Sequence, residues 1–389
     1  MIRVFFNKII LSLFFFNALS GQDISLVRKD LRFLTSKKCF GRGYVKHGQE
    51  RAAGYLINSF RKLGLQSPGL QDYSQKLIMS VNTFPNKMKV LVDGKKCAPG
   101  KDFLIENTSC SVKGKFFLDK KDSVTYLGKK TTGTQTALVV SLKKKLTWSV
   151  AREQGNLTEI QFDSKLFKKN PKCIDVDIEA VMIDSFAVKN ICGYLPGTTQ
   201  PDSFIFFSAH YDHLGGMGKK TFFPGANDNA SGVSMLLSLA RYFKLHPQRY
   251  SIVFVLFCGE EAGLIGSRYF VDHSPIAISS IKFLVNLDLL GTGDEGITVV
   301  NATEFTDAFQ CLKKINEEKK FLPQIKSRGK AANSDHYWFS ELGVPCFFIY
   351  TLGGIKAYHD VYDVYHTLPL TRFSETQALL IEFIQKISQ

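Results

Sequence analysis

The chain has 389 residues, 44% of them hydrophobic and 22% charged, and carries a net charge of +15 at neutral pH. This is a globular composition with length for one large α/β domain or two domains, and it excludes a collagenous, low-complexity or largely disordered polypeptide. The positive balance comes from lysines, dense between Lys113 and Lys172. No nucleic-acid motif accompanies them, so they read as a solvated face and a nucleic-acid partner is not expected.

Residues 1–21, MIRVFFNKIILSLFFFNALSG, read as a secretory leader. Arg3 and Lys8 give a positive start, Ile9–Phe16 an apolar core, and Ala18-Leu19-Ser20 a small-x-small cleavage site. The apolar run is short for a membrane span. The expectation is therefore an exported protein, periplasmic or secreted, without stable membrane insertion after cleavage; an uncleaved anchor is the rival reading. The 8 cysteines are scattered with no C-x-x-C pair, so any disulfide pairing stays open, and Cys258 and Cys346 inside apolar runs read as buried thiols.

Residues 22–70 form a helical stretch, with apolar positions recurring at three and four in ERAAGYLINSFRKLGLQ and Gly64 as its stop. Residues 71–180 change texture to short β-like runs broken by Gly, Lys, Asn and Thr, either a β-rich, lysine-dense insert or an edge of the main sheet. Residues 181–389 hold four apolar runs, SFIFFSA, SIVFVLF, IKFLVNL and VPCFFIY, alternating with helical patterns. Such runs predict an α/β fold with three layers, a mostly parallel or mixed sheet with helices on both faces. Ligands of these sheets bind outside the carboxyl ends of the strands.

The residues past those strand ends carry the chemistry. The first strand is followed by His210 and Asp212 in HYDHLGG, the second by Glu260 and Glu261, and the third by Asp288. The fourth leads through a glycine loop to YHDVYD with Tyr358 and His359, and Asp228 lies where a helix should begin. Singly, each has an ordinary explanation: a surface histidine, a helix N-cap, a turn aspartate. Together at successive ends of one sheet they form a nitrogen and oxygen donor set suited to zinc.

These segments, SAHYDHLG, GANDNASGV, CGEEAGLIGSRYF, NLDLLG, NSDHYWF and YHDVYD, resemble in type and order the secreted di-zinc aminopeptidases of the co-catalytic zinc-peptidase clan. The resemblance covers residues 180–389, and GRGYVKHGQERAAGYLINSFRKLGL resembles the family's leading helix. It implies a zinc-exopeptidase-like fold, peptide substrates and two Zn²⁺ ions per chain. In that reading His210 and Asp288 bind one ion, Glu261 and His359 the other, and Asp228 bridges them. Glu260 is the general base and Tyr358 donates to the oxyanion. Asp212 accepts the second ring N–H of His210, Asp335 stands beside the ligands, and the peptide bond after Asp228 is cis. His213 is a rival to His210, and His366 to His359; Asp363, four residues after His359, favours the latter. Glutaminyl cyclases on the same scaffold and a non-catalytic binding module are the alternative functions. Oligomeric state, residue preference and the role of residues 71–180 are not legible.

Overall fold

A computed structural model describes residues 23–130, 136–167 and 169–389. The expected leader at 1–21 lies outside the described residues.

The first described helix, Ile24–Leu34, starts at Asp23, whose carboxylate accepts the Ser25 backbone N–H at 2.8 Å. The second, Gly48–Leu63, buries Ala52, Ala53, Leu56, Ile57 and Phe60, the stripe set by its periodicity, and stops at Gly64 with φ of 70°. Leu56 and Phe60 are fully buried, and each such side chain contributes roughly 1.5–3 kcal/mol relative to exposure.

The central sheet runs in the order Ser74–Thr83, Val181–Leu195, Tyr250–Phe257, Gln200–His210, Ile281–Leu287, Cys346–Thr351, Ile297–Val300, Ile325–Ser327. The strands Tyr250–Phe257, Gln200–His210, Ile281–Leu287 and Cys346–Thr351 pair in parallel, and antiparallel pairings join both of their flanks. These are the four near-continuous apolar runs of the sequence. Their alternate residues feed opposite faces: Phe207, Phe254 and Val285 join one core with Val233, Leu237 and Leu380, while Phe206, Val255 and Leu284 join another with Phe270 and Phe339. Helices cover both faces, as a buried mixed sheet requires.

Residues 88–178 build a second, smaller sheet. Its order is Lys95–Lys96, Met88–Val92, Cys173–Ile178, Val112–Lys120, Thr125–Lys129, Thr136–Lys143, Thr158–Asp163, Phe103–Ile105. It has its own core of Phe103, Phe116, Ile160, Phe162 and Ile174, which extends to Phe84, Trp148 and Phe223. The strand Ser74–Thr83 belongs to the edge of the central sheet instead. All 8 cysteines are free thiols, and no helix among the described residues is long and apolar enough to cross a membrane.

Candidate active site

The carboxyl ends of the parallel strands open into a cavity of about 170 Å³. His210, Asp228, Glu260, Glu261, Asp288, Tyr358 and His359 all line it, and Leu289, Arg328, Asn333, Phe348 and Tyr350 complete the wall. The sheet thus brings together the seven residues expected to coordinate metal or do chemistry, although they span 150 positions of sequence.

Two groups meet at Asp228. His210 Nε2 lies 3.4 Å from Asp228 Oδ1 and 3.5 Å from Asp288 Oδ2, with Glu260 Oε2 at 4.0 Å. His359 Nε2 lies 3.0 Å from Asp228 Oδ2 and 3.3 Å from Glu261 Oε2. Asp228 presents one oxygen to each group. Ligand atoms held 2.0–2.1 Å from a tetrahedral zinc are roughly 3.3 Å apart, so both sets of spacings fit a shared metal centre. Charge points the same way. Four carboxylates crowd one small cavity, and Asp288 Oδ1 is buried without a hydrogen-bond partner among the described residues. Without a cation such crowding is costly.

The protonation equilibria reflect the crowding. Burial pushes the Glu260 carboxyl well above its ordinary range, with His210 opposing and Glu261 adding to the rise. Burial works against charge on His210, but Glu260 and Asp288 outweigh it and hold the imidazole well above its usual range. Burial likewise disfavours the Asp228 carboxylate, but His210 and His359 overcome that and keep it well below the usual range.

Asp228 is set by its loop. Its peptide bond to Asn229 is cis, as the resemblance implies. Gly225, at φ +60°, passes so close that a Cβ there would come within 2.2 Å of the Asp228 carbonyl oxygen and 2.4 Å of the His213 ring. Asp363 accepts the backbone N–H groups of Asn227 at 2.8 Å and Asp228 at 3.0 Å. The aspartate four residues after His359 therefore ties the His359 loop to the Asp228 loop. His366, by contrast, is exposed in the turn Tyr365–Thr367.

Asp212 departs from expectation. His210 Nδ1 faces the Asp212 backbone carbonyl at 3.2 Å, and the carboxylate is farther, at 3.8 Å. The carboxylate is engaged elsewhere. It accepts the Tyr44 hydroxyl at 2.6 Å and the backbone N–H groups of Glu260 at 3.3 Å and Glu261 at 3.4 Å. It thereby anchors the turn carrying the paired glutamates. Asp335 is fully buried with neither oxygen at hydrogen-bond distance from a partner among the described residues, and burial raises its carboxyl to about 7, with His210 and Ser267 opposing. Tyr358 is 44% exposed and stacks on His359 with ring centroids 4.0 Å apart.

Arg42 and Trp148 escaped the sequence reading, and His213, read there only as a rival to His210, has a role of its own. His213 is fully buried, with Nδ1 at 2.6 Å from Glu261 Oε1. That is hydrogen-bond distance, so His213 orients Glu261, and its Nδ1 also lies 3.9 Å from Asp228 Oδ1, within the same group of metal-capable side chains. Arg42 is buried and donates to the carbonyls of Leu34, Tyr211, Pro224, Gly225 and Asp228. Trp148 meets His359 through its backbone. The glycines around Arg42 in GRGY and the second histidine of HYDH were the available signals; nothing in the sequence around Trp148 marked it.

Fold and site define a class: a three-layer α/β protein with an acid- and histidine-rich pocket, composed for divalent metal, at the ends of its parallel strands. The profile of Peptidase family M28 matches residues 190–384, just over half of the chain, and the chain belongs to that family. It is 28% identical to aminopeptidase YwaD of Bacillus subtilis over 250 residues, covering 61% of this chain and 53% of that protein. The chain thus spans about half the length of that curated relative. A probable zinc metalloprotease of Pyricularia oryzae is 37% identical over 118 residues, 29% of this chain and 24% of that one. Among solved structures, the aminopeptidase from Aneurinibacillus sp. strain AM-1 superposes with a TM-score of 0.67 at 17% identity, covering 95% of each chain. BSAP, a zinc aminopeptidase from Bacillus subtilis, superposes at 0.68 and 17%, covering 93% of this chain and 94% of that one. At these identities the superpositions speak to fold.

Proposed function

We propose that this chain is a zinc-dependent aminopeptidase that removes residues from the N-termini of peptides, with two zinc ions per chain. The observation that carries the reading is the pair of donor sets sharing Asp228, with Glu260 beside them and not needed by either. His210, Asp288 and Asp228 would hold one ion, and Glu261, His359 and Asp228 the other. When bound, zinc supplies Lewis-acid activation of a water and of the scissile carbonyl. Glu260, on the cavity wall beside both donor sets, would take a proton from the attacking water and pass it to the leaving amine. Tyr358, exposed on the cavity wall, donates a hydrogen bond to the developing oxyanion. Asp212 and His213 hold the two glutamates in their separate directions. The leader-like residues 1–21 support export, which the mass of the mature N-terminus tests.

The functional test is mass spectrometry on a peptide mixture that includes an N-terminal-Gln peptide, with zinc-loaded protein and with chelator. Chelator-sensitive loss of whole N-terminal residues is expected. Loss of ammonia alone from the Gln peptide would make the chain a cyclase, and unchanged peptides with no bound zinc would make it a binding module.

A further inference from the structure

We infer that the second sheet's core is part of the metal site: Trp148, in the loop after the strand Thr136–Lys143, packs in that core and is a positioning residue that fixes the ring of His359. The contact is reciprocal. The Trp148 backbone N–H donates to the His359 carbonyl at 2.9 Å, and His359 Nδ1 lies 2.9 Å from the Trp148 carbonyl oxygen. A carbonyl only accepts, so Nδ1 carries the hydrogen and Nε2 is the atom turned toward Asp228 and Glu261. This tautomer and orientation are what a metal-binding imidazole needs, and here a main-chain carbonyl supplies the partner.

The backbone of Trp148 can do this because its side chain is pinned. The indole N–H donates to the Ile105 carbonyl at 2.8 Å, and the ring stacks on Phe223 with centroids 4.8 Å apart and an interplanar angle of 26°. Ile105 lies on a strand of the second sheet, whereas Phe223 precedes the Asp228 loop. The indole thus sits in the second sheet's core, between Ile105 and the segment that leads into the Asp228 loop. Nearby contacts lock the same loop: Lys145 Nζ donates to the Lys356 carbonyl at 3.0 Å, and Val361 packs on the second sheet's core. Residues 71–180, which have no role in the donor set, thereby reach it through one ring nitrogen.

The zinc readouts rest on the function proposed above; the ring tautomer does not. The test compares wild type with Trp148→Ala, Trp148→Phe and Phe116→Ala, the last a cut in the same core on the strand Val112–Lys120. Zinc affinity is measured by chelator competition, and the His359 Nδ1–H is observed by NMR in metal-free, histidine-labelled protein. Trp148→Ala should weaken one of two zinc equivalents about 10–100-fold, the usual effect of losing a group that orients a ligand, and should lose the protected Nδ1–H. Trp148→Phe, which keeps the stack, should recover most of both. Phe116→Ala should leave both unchanged even if it lowers the Tm. Wild-type zinc affinity and Nδ1–H protection in Trp148→Ala, or equal losses in Phe116→Ala, would overturn the inference. Wild-type protein that shows the protected Nδ1–H yet binds no zinc would instead sink the functional reading and leave the positioning intact.

Discussion

His213 and Glu261 are joined by a hydrogen bond of 2.6 Å between buried groups, Nδ1 to Oε1, which leaves Oε2 as the oxygen facing His359. A carboxylate with one oxygen committed cannot rotate freely, so His213 chooses which lone pairs Glu261 offers to a metal. His213→Ala should reduce affinity for one zinc about 10–100-fold while the other binds as before. Competition against a chromophoric chelator reads this directly, and two unchanged affinities would remove His213 from the site.

Glu260 stands apart from its neighbour. Its carboxyl lies 4.0 Å from His210 Nε2, farther than the Asp228 and Asp288 oxygens at 3.4 and 3.5 Å, and its backbone is held by Asp212. A residue that moves protons without holding metal separates the two functions on substitution. Glu260→Gln should lower kcat about 10²–10⁴-fold and retain full zinc content by elemental analysis. Wild-type turnover, or lost zinc, would assign the general base elsewhere.

The sheet and the donor set were legible because each rests on local pattern. Apolar runs such as SIVFVLF announce strands buried on both faces, and polar residues just after them fall at the carboxyl edge by geometry alone. What was not legible lies across long sequence separations. The bond from Trp148 to His359 joins residues 211 positions apart through main-chain atoms, which carry no sequence signature. Arg42 reaches carbonyls more than 180 positions away. Asp212 illustrates a different failure: the resemblance implied that its carboxylate takes the His210 ring N–H, but the Tyr44 hydroxyl and two backbone N–H groups compete for the same carboxylate and win.

Arg42 yields a prediction about stability. Its guanidinium bridges the first helix, the His210 turn and the Asp228 loop by five bonds to carbonyls. Methionine fills similar volume and leaves those acceptors unpaired, each costing about 1–3 kcal/mol when buried. Arg42→Met should therefore lose at least about 3 kcal/mol in denaturant unfolding. Arg42→Lys should recover only part, since one ammonium cannot reproduce the planar fork. A lysine variant as stable as wild type would show that charge, not geometry, is what the site requires.

His336 sets a pH dependence whose sign follows from burial. The ring is fully buried 5.2 Å from Phe348, neither nitrogen has a hydrogen-bond partner at bonding distance among the described residues, and burial, opposed only weakly by the backbone near Ser334 and Ala331, depresses its pKa to about 4. An unfolded histidine titrates near 6.5. Between those values the unfolded chain binds the extra proton, so stability falls as pH drops from about 6.5 toward 4, by up to about 3 kcal/mol from this group. Above 6.5 both states are neutral and the contribution vanishes. His336→Phe preserves an aromatic ring beside Phe348 and removes the titration. In metal-free protein, where zinc release cannot interfere, the variant should match wild type near pH 7.5 and lose less stability on acidification. The gap between the two should open below pH 6.5 and level off near pH 4. Parallel curves over that window would mean that the imidazole gains a proton and a partner without unfolding.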